Sequence, residues 1–272
     1  MSEPPSFDLD AYCARIGYDG PREPTLAVLS AIHALQPAVI PFENLDPLLG
    51  RPVPLDLASL QAKLIASRRG GYCFELNALF RAALEALGLA ITPLIARVRW
   101  MAPSDRPEGP RSHMLLRVDL EEGTYLADVA FGGHLVAAPL RLIADIEQQA
   151  PGGLLRLVAD GSSFTQQTLL PSGWQDVYRF TLEPAQLADY EVSNWFTSTH
   201  PASIFRNALL AERLTPKGRY SLMNQKLTVR SGGEAIERTL ADEAELGEVL
   251  ETVFGVTPPS PTREVWARLP PV

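Results

Sequence analysis

Cysteine is scarce in this sequence, and so are the patterns that mark metal sites and membrane segments. Only 2 of the 272 residues are cysteine, and neither a CxxC nor an HExxH spacing occurs, which excludes a disulfide framework and indicates no metal site. The N-terminal residues lack a basic stretch followed by an apolar one, and no apolar run is long enough to cross a bilayer. We therefore expect a cytoplasmic protein with reduced thiols, no metal and no membrane partner.

Excess positive charge is also missing. The chain has 24 Lys and Arg residues against 32 Asp and Glu residues, a net charge of −8, which weighs against nucleic acid as a partner. Apolar residues make up 46% of the chain and charged residues 21%, a composition typical of globular proteins. Any phosphate-bearing ligand must therefore find a local basic pocket.

Helical periodicity dominates residues 1–88. Apolar residues recur every three to four positions from Leu26 and predict a helix that stops at Pro37. The clearest helix begins near Cys73, and Gly88 stands where a glycine commonly follows the end of a helix. These patterns predict a small helical bundle.

Alternating β-branched residues replace the helical spacing from residue 89 onward. Short runs, separated by turn-rich segments such as APSDRPEGPRS at 102–112, predict strands near residues 91–101, 113–120, 124–131, 154–161 and 176–182. They predict an antiparallel sheet or barrel over residues 89–200. Residues 201–272 contain a predicted hairpin at 220–233 and a helix near 241–255, so the predicted fold class is α+β.

One of the two cysteines has the flanks of a catalytic nucleophile. Cys73 follows Gly70 and Gly71, which let the backbone turn tightly and approach a ligand, and it precedes the predicted helix. A thiol at the positive end of a helix ionises more easily, and the thiolate is the nucleophile. A buried structural thiol is the alternative for Cys73, and it is the expected role of Cys13.

A nucleophilic cysteine needs a base, which is usually a histidine. His33 and His200 are expected to be structural or at the surface. His134 follows two glycines and is a possible site residue, although a loop histidine is more typically solvated. His113 begins the strand HMLLRVDL and points away from the apolar face of that strand, so His113 and His134 both stay open as candidates for the base.

An acidic residue that could orient this base lies in the next strand. Asp128 is the only acid in the apolar run YLADVAF, where a buried carboxylate without a partner would be costly. With Glu122 and Gly123 as the turn, Asp128 pairs with Arg117 and lies about 13 Å from His113 along an ideal strand. A bulge, a strong twist or a shift in register must close that gap.

Four segments match the motifs of one known family. They are PFENLD at 41–46, RGGYCFELN at 69–77, HMLL at 113–116 and DVAFGG at 128–133. With these motifs in this order, essentially the whole chain resembles the arylamine N-acetyltransferases, although Ala130 stands where the family has glycine. The resemblance implies an N-terminal helical bundle, a central antiparallel β-barrel and a C-terminal α/β lid, with a cysteine-protease-like (transglutaminase-like) catalytic core.

The resemblance also implies a role for each matching residue. Cys73 would accept an acetyl group from acetyl-CoA, His113 would be its base, and Asp128 would orient the base. The residues implied to line the acyl and coenzyme pocket are Phe131, Gly132, Phe205, Ser112 and Val98. The residues implied to form an ion pair that braces the nucleophile loop are Glu43 and Arg69, for which two separate surface charges are the alternative.

The implied activity is ping-pong acetylation of arylamines and hydrazines, with acetyl-CoA as co-substrate and no bound cofactor. An amide synthase that uses a tethered acyl thioester remains an alternative. So do a papain-like protease or transglutaminase with the same Cys-His-Asp set, and a binding protein without turnover. Candidates for contacting the CoA phosphates are Arg97, Arg99, Arg206, Lys217 and Arg219.

Overall fold

The computed structural model describes residues 6–103 and 107–271. Outside the description lie residues 1–5, residues 104–106 of the turn-rich segment 102–112, and residue 272. Within the described ranges the chain forms nine α-helices, one π-helical segment and thirteen strands in two sheets. The predicted α+β class is confirmed, with helices first, a barrel next and a sheet covered by helices last.

The chain before residue 88 is mostly helical. Its helices are α1 (Leu9–Ile16), α2 (Leu26–Val39), α3 (Leu45–Leu49), α4 (Leu57–Leu60), the π-helical segment Gln61–Ala66 and α5 (Cys73–Ala86), and the two-residue strand β1 (Phe42–Glu43) lies between α2 and α3. Helix α5 is followed by Gly88 at a φ of +82°, as predicted. The predicted stop at Pro37 was wrong: α2 continues to Val39, because the buried Pro37 lies in the last turn and removes only one backbone hydrogen bond there.

Eight antiparallel strands form a nearly closed barrel. They are β2 (Ala90–Val98), β3 (Arg111–Leu120), β4 (Gly123–Ala127), β5 (Leu140–Arg141), β6 (Gln148–Ala150), β7 (Gly153–Asp160), β8 (Ser163–Leu170) and β9 (Gly173–Thr181), in the order β5-β4-β3-β2-β9-β8-β7-β6. Arg141 and Gln148, on the two edge strands, hydrogen-bond to each other. One face of β3 packs against the helices through Met114 and Leu116, while Leu115 points into the barrel core.

The β3–β4 hairpin brings Asp128 towards His113. Its turn lies at residues 121–122, one residue earlier than predicted, because Gly123 already begins strand β4 at a φ of +137°. The ladder therefore places Asp128 level with Leu115, two residues from His113 along β3. A shift in register thus closes much of the gap, and the chain leaves the ladder at Asp128.

A second sheet, in the last third of the chain, pairs with the first third. Its strands are β1, β10 (Leu210–Thr215), β11 (Gly218–Met223), β12 (Lys226–Ser231) and β13 (Glu234–Thr239), in that order. Helices α8 (Glu243–Thr252) and α9 (Thr262–Trp266) share its apolar core, together with α3. Helix α6 (Leu187–Thr199) packs against β3, and α7 (Ile204–Asn207) contacts α3 and α6. The predicted hairpin is β11–β12 and the predicted helix is α8, whereas the domain boundaries at 88 and 200 stay a prediction. Over residues 6–103 and 107–271, no helix has the length and apolarity needed to cross a membrane.

Candidate active site

Cys73 is the first residue of α5 and is buried against the start of strand β3. The backbone N–H of Tyr72 donates to Glu75 Oε2 at 3.1 Å, which fixes the entry of the chain into the helix. Cys73 Sγ lies 3.7 Å from the carbonyl oxygen of Ser112. The N–H groups of the first helical turn have no partners inside the helix, so the thiol lies at the positive end of α5.

His113 lies between Cys73 and Asp128. Its Nε2 is 2.6 Å from Asp128 Oδ2, and the two side chains are only 3% and 8% exposed. Burial lowers the pKa of His113, but the Asp128 carboxylate and a hydrogen bond with Cys73 outweigh burial and raise this pKa to about 10. Because Nε2 faces Asp128, the ring nitrogen that remains for Cys73 is Nδ1. At neutral pH the ring is therefore an imidazolium held between a carboxylate and a sulfur.

Several groups besides His113 hold the Asp128 carboxylate in place. Burial opposes ionisation of its carboxyl group, yet the charge of His113 and hydrogen bonds from Asn77 and Ala130 lower its pKa. Asn77 Nδ2 donates to Oδ1 at 2.9 Å, and the Ala130 N–H donates to the same oxygen at 3.0 Å. Burial and the nearby Asp128 carboxylate raise the pKa of Tyr178, and the Tyr178 ring stacks on that of His113 with centroids 5.0 Å apart. The carboxylate is thus fixed in position and ionised.

Sequence reasoning did not identify Asn77 or Tyr178. A signal for Asn77 was available, since it is a polar residue at helical spacing within the apolar face of α5. Tyr178 lies in a strand where a tyrosine is unremarkable, and only the barrel brings it next to His113.

Three of the predicted pocket residues pack against aromatic or imidazole rings. Phe131 packs edge-on against His113 with ring centroids 5.0 Å apart. Gly132 lies so close to Phe42 that a Cβ atom would overlap the phenylalanine ring, so this position needs glycine. Phe205 packs on the same ring, with centroids 6.1 Å apart. Phe131 therefore lies against the imidazole, whereas Gly132 and Phe205 share Phe42 as a neighbour.

The other two predicted pocket residues lie on neighbouring barrel strands. Ser112 is next to His113, and the β2–β3 pairing shifts register at this point. Val98, at the end of β2, pairs with Tyr178 and is 39% exposed. Val98 therefore lies towards solvent, whereas Ser112 contacts the thiol directly.

A buried network of five charges supports the segment that carries the nucleophile. Arg69 Nη2 lies 2.8 Å from Glu43 and 3.1 Å from Asp46. Lys63 Nζ lies 2.6 Å from both Asp46 and Glu75. Arg69 and Glu43 are therefore parts of one buried network and not two separate surface charges, and Glu75 links this network to the start of α5.

The two glycines before Cys73 pack against the PFENLD segment. A Cβ atom on Gly70 would overlap the Pro41 carbonyl oxygen. The Gly71 N–H donates to that oxygen at 3.3 Å, and the Glu43 N–H donates to the Gly71 carbonyl at 2.8 Å. The backbone at these glycines thus closely approaches a neighbouring segment of the same chain, whereas the sequence led us to expect that it approaches a ligand.

Comparison with known proteins agrees with this arrangement. A family model described as N-acetyltransferase matches residues 25–260. The arylamine N-acetyltransferase of Escherichia coli is 41% identical over 250 residues, which cover 91% of this chain and 88% of that protein. The chain belongs to the arylamine N-acetyltransferase family.

Solved structures of the family share the whole fold. The arylamine N-acetyltransferase of Mycobacterium marinum superimposes with a TM-score of 0.93 at 37% identity, covering 96% of this chain and 98% of that one. A structure of the same protein in complex with CoA gives a TM-score of 0.92, with the same identity and coverage. This arylamine N-acetyltransferase family member is therefore an acyltransferase enzyme with the fold of its relatives.

Among the basic residues considered for the CoA phosphates, Arg219 is unsuited to this role in the enzyme. It is buried, lies 3.1 Å from Glu212 and donates to the Leu135 carbonyl at 2.7 Å. Glu212 in turn accepts hydrogen bonds from the N–H groups of Gly133 and Leu135. Arg219 therefore helps to tie strand β10 to the loop that follows Asp128.

Proposed function

We propose that this enzyme transfers the acetyl group of acetyl-CoA to arylamines and hydrazines by double displacement through acetyl-Cys73. The observation that carries the proposal is the buried series Cys73, His113 and Asp128, in which the imidazole and the carboxylate are 2.6 Å apart. The E. coli relative is an arylamine N-acetyltransferase, which supports an arylamine as acceptor. The M. marinum relative was solved in complex with CoA, which supports a CoA thioester as donor.

The first half-reaction moves the acetyl group onto the protein. The Cys73 thiolate attacks the thioester carbonyl, a bond forms between Sγ and the acetyl carbon, and the bond to the CoA sulfur breaks. His113 gives its proton to the departing CoA thiolate. Because Asp128 stabilises the imidazolium, the proton that the departing thiolate needs is on His113 before this step.

The second half-reaction reverses the proton flow. The amine nitrogen attacks acetyl-Cys73, and the bond between the acetyl carbon and Sγ breaks. His113 takes the proton that the amine loses. The product is the acetylated amine, and the enzyme returns to its thiolate and imidazolium.

Negative charge develops on the carbonyl oxygen in both half-reactions. The backbone N–H of Cys73 opens α5 and is among the donors that the helix leaves without a partner, so we assign it to this oxygen. Phe131 and Gly132 would enclose the acetyl group, and Phe205, Ser112 and Val98 would contact the coenzyme. The Arg69–Glu43 pair would brace the nucleophile segment and leave the substrates untouched.

Incubation with acetyl-CoA alone is expected to add one acetyl group to Cys73. Because double displacement acetylates the enzyme before the amine binds, intact mass spectrometry should detect the adduct without amine. Adding an arylamine or a hydrazide should discharge it, and steady-state kinetics with both substrates should give parallel double-reciprocal lines. A protease or transglutaminase would not consume acetyl-CoA.

The second cysteine supplies the control for this experiment. Cys13→Ala should form the adduct normally, and Cys73→Ala should form none. Intersecting kinetic lines together with no trapped adduct would indicate direct transfer in a ternary complex, and would remove Cys73 from the role of nucleophile.

Iodoacetamide is expected to alkylate Cys73 at least about ten-fold faster than Cys13 at neutral pH, because one pKa unit changes the thiolate fraction about ten-fold. Burial raises the pKa of Cys13 and keeps this thiol protonated, whereas Cys73 lies at the positive end of α5 and beside His113. Peptide mapping of partly labelled enzyme measures the two rates, and activity should fall in step with labelling of Cys73. Equal labelling of the two thiols with full activity retained would contradict this expectation.

A further inference from the structure

His33 lies directly behind the proposed catalytic carboxylate. It belongs to α2 and is buried, with its ring packed edge-on against Phe80 at a centroid distance of 5.6 Å. The backbone N–H of Asp128, 95 residues away in the sequence, donates to His33 Nε2 at 3.2 Å. We expected this histidine to be structural or at the surface, and the structure shows it hydrogen-bonded to the main chain of Asp128.

The hydrogen bond fixes the protonation state of His33. A backbone N–H can only donate, so Nε2 must carry the lone pair and the ring proton lies on Nδ1. Burial lowers the pKa of His33 to about 4, so the ring is neutral at physiological pH. A cation at this position would compete with His113 for the charge of Asp128, whereas the neutral ring leaves that charge to His113.

The backbone at Asp128 needs this partner because strand β4 has ended. Three successive N–H groups bond to side chains: that of Asp128 to His33, that of Val129 to Asn77 Oδ1 at 3.1 Å, and that of Ala130 to the Asp128 carboxylate. The last two contacts involve the loop itself or helix α5. His33 supplies the hydrogen bond from α2 that holds the main chain of Asp128.

We propose that His33 is a positioning residue for the transfer reaction, acting through the main chain of Asp128 to keep its carboxylate against His113. The proposal rests on the proposed function, since it requires Asp128 to orient the base. Over residues 6–103 and 107–271, no contact joins His33 to the thiol or to the imidazole. Its effect should therefore appear in turnover and in the state of His113, and not in substrate affinity.

Three variants of the full-length enzyme test this role. His33→Leu removes the acceptor, and turnover should fall about ten-fold or more, because the Asp128 carboxylate is then held less well against His113 in the transition state; a factor of ten corresponds to about 1.4 kcal/mol. His33→Gln offers a side-chain oxygen at a similar reach and should recover most of the loss. Tyr12→Phe removes another buried hydrogen bond to α2, the one from Tyr12 to Gln36 at 2.6 Å, and should change turnover less than about two-fold despite a similar loss of stability.

Two further readouts separate positioning from a general structural role. In His33→Leu the KM for acetyl-CoA should stay within about two-fold, and the alkylation rate of Cys73 should show a shifted pH profile, because the imidazolium of His113 is less well held. Tyr12→Phe should keep the wild-type profile. Equal losses of turnover in His33→Leu and Tyr12→Phe would overturn the proposal, as would a His33→Gln variant as slow as His33→Leu.

A further measurement is made on the wild-type enzyme, and a variant is used only to assign the signal. Nitrogen-15 spectra of the four histidines should show one neutral ring protonated at Nδ1 down to about pH 5, and that signal should be absent from His33→Gln. A His33 ring protonated at Nε2 would refute the inference. The proposed function fails separately: it is lost if replacement of Asp128 itself leaves turnover normal, whatever the His33 variants do.

Discussion

Asp128→Asn is expected to lower turnover about 10⁴-fold, the loss caused by the comparable change in a serine protease triad. The amide keeps the shape of the side chain but has no charge to stabilise the imidazolium. Its NH₂ group can also donate to His113 Nε2, and the proton of a neutral ring then lies on Nδ1. This nitrogen must be unprotonated to accept a proton during the reaction. Steady-state rates with an arylamine and acetyl-CoA measure the effect.

The same variant should change the pH dependence of the thiol. The wild-type pKa of His113 is raised to about 10, with the Asp128 carboxylate as the chief cause that opposes burial. Without that charge the pKa falls, so the imidazolium is lost at lower pH and alkylation of Cys73 at neutral pH should slow. Asp119→Asn makes the same substitution on strand β3, where Asp119 pairs with Arg117 at the surface, and should leave both properties unchanged. Near-normal turnover in an Asp128→Asn enzyme that melts like wild type would make Asp128 purely structural.

Arg69→Met is expected to reduce the free energy of unfolding by about 3 to 5 kcal/mol. The Arg69 and Glu43 side chains are 11% and 0% exposed, so the substitution leaves a buried carboxylate without its cation. Asp46 keeps Lys63 as a partner, which limits the damage to one side of the network. Urea denaturation at neutral pH measures the change.

The chain offers a matched surface pair as a control. Arg81 and Glu85 face each other one turn apart on α5, at 2.7 Å, with side chains 38% and 45% exposed. Arg81→Met should therefore change the free energy of unfolding by less than about 0.5 kcal/mol. If Arg69→Met costs no more than this surface substitution, the buried network does not stabilise the nucleophile segment.

Local signals in the sequence were sufficient to predict the parts of the fold that depend on a few neighbouring residues. Helix α5 has an apolar stripe and a terminal glycine, so its limits followed from residues 73 to 88 alone. Strand β3 followed in the same way from its alternation of side chains. The pairing of nucleophile, base and acid rested on motifs of one family, since spacing alone left His113 and Asp128 about 13 Å apart.

What could not be predicted depends on contacts between distant segments. The turn at residues 121–122 sets the register of Asp128. Moving a turn by one residue shifts the pairing by two residues, so each side chain stays on the same face and the alternating pattern does not reveal the change. The ring of His33 meets Asp128 only after α2 packs beneath the barrel. Each of these outcomes is decided by tertiary packing, which a local pattern does not contain.

The pairing of β1 with β10 has a consequence for folding during synthesis on the ribosome. The Leu210 N–H donates to Asn44 Oδ1 across 166 residues of chain, and β10 supplies the partner of the strand on which Gly70 and Gly71 pack. At about 5 to 20 residues per second, roughly 10 to 30 s separate synthesis of these two segments. During that interval the nascent chain already contains Cys73 but lacks β10, the strand that pairs with β1. The segment that carries the nucleophile therefore reaches its final packing late in biosynthesis.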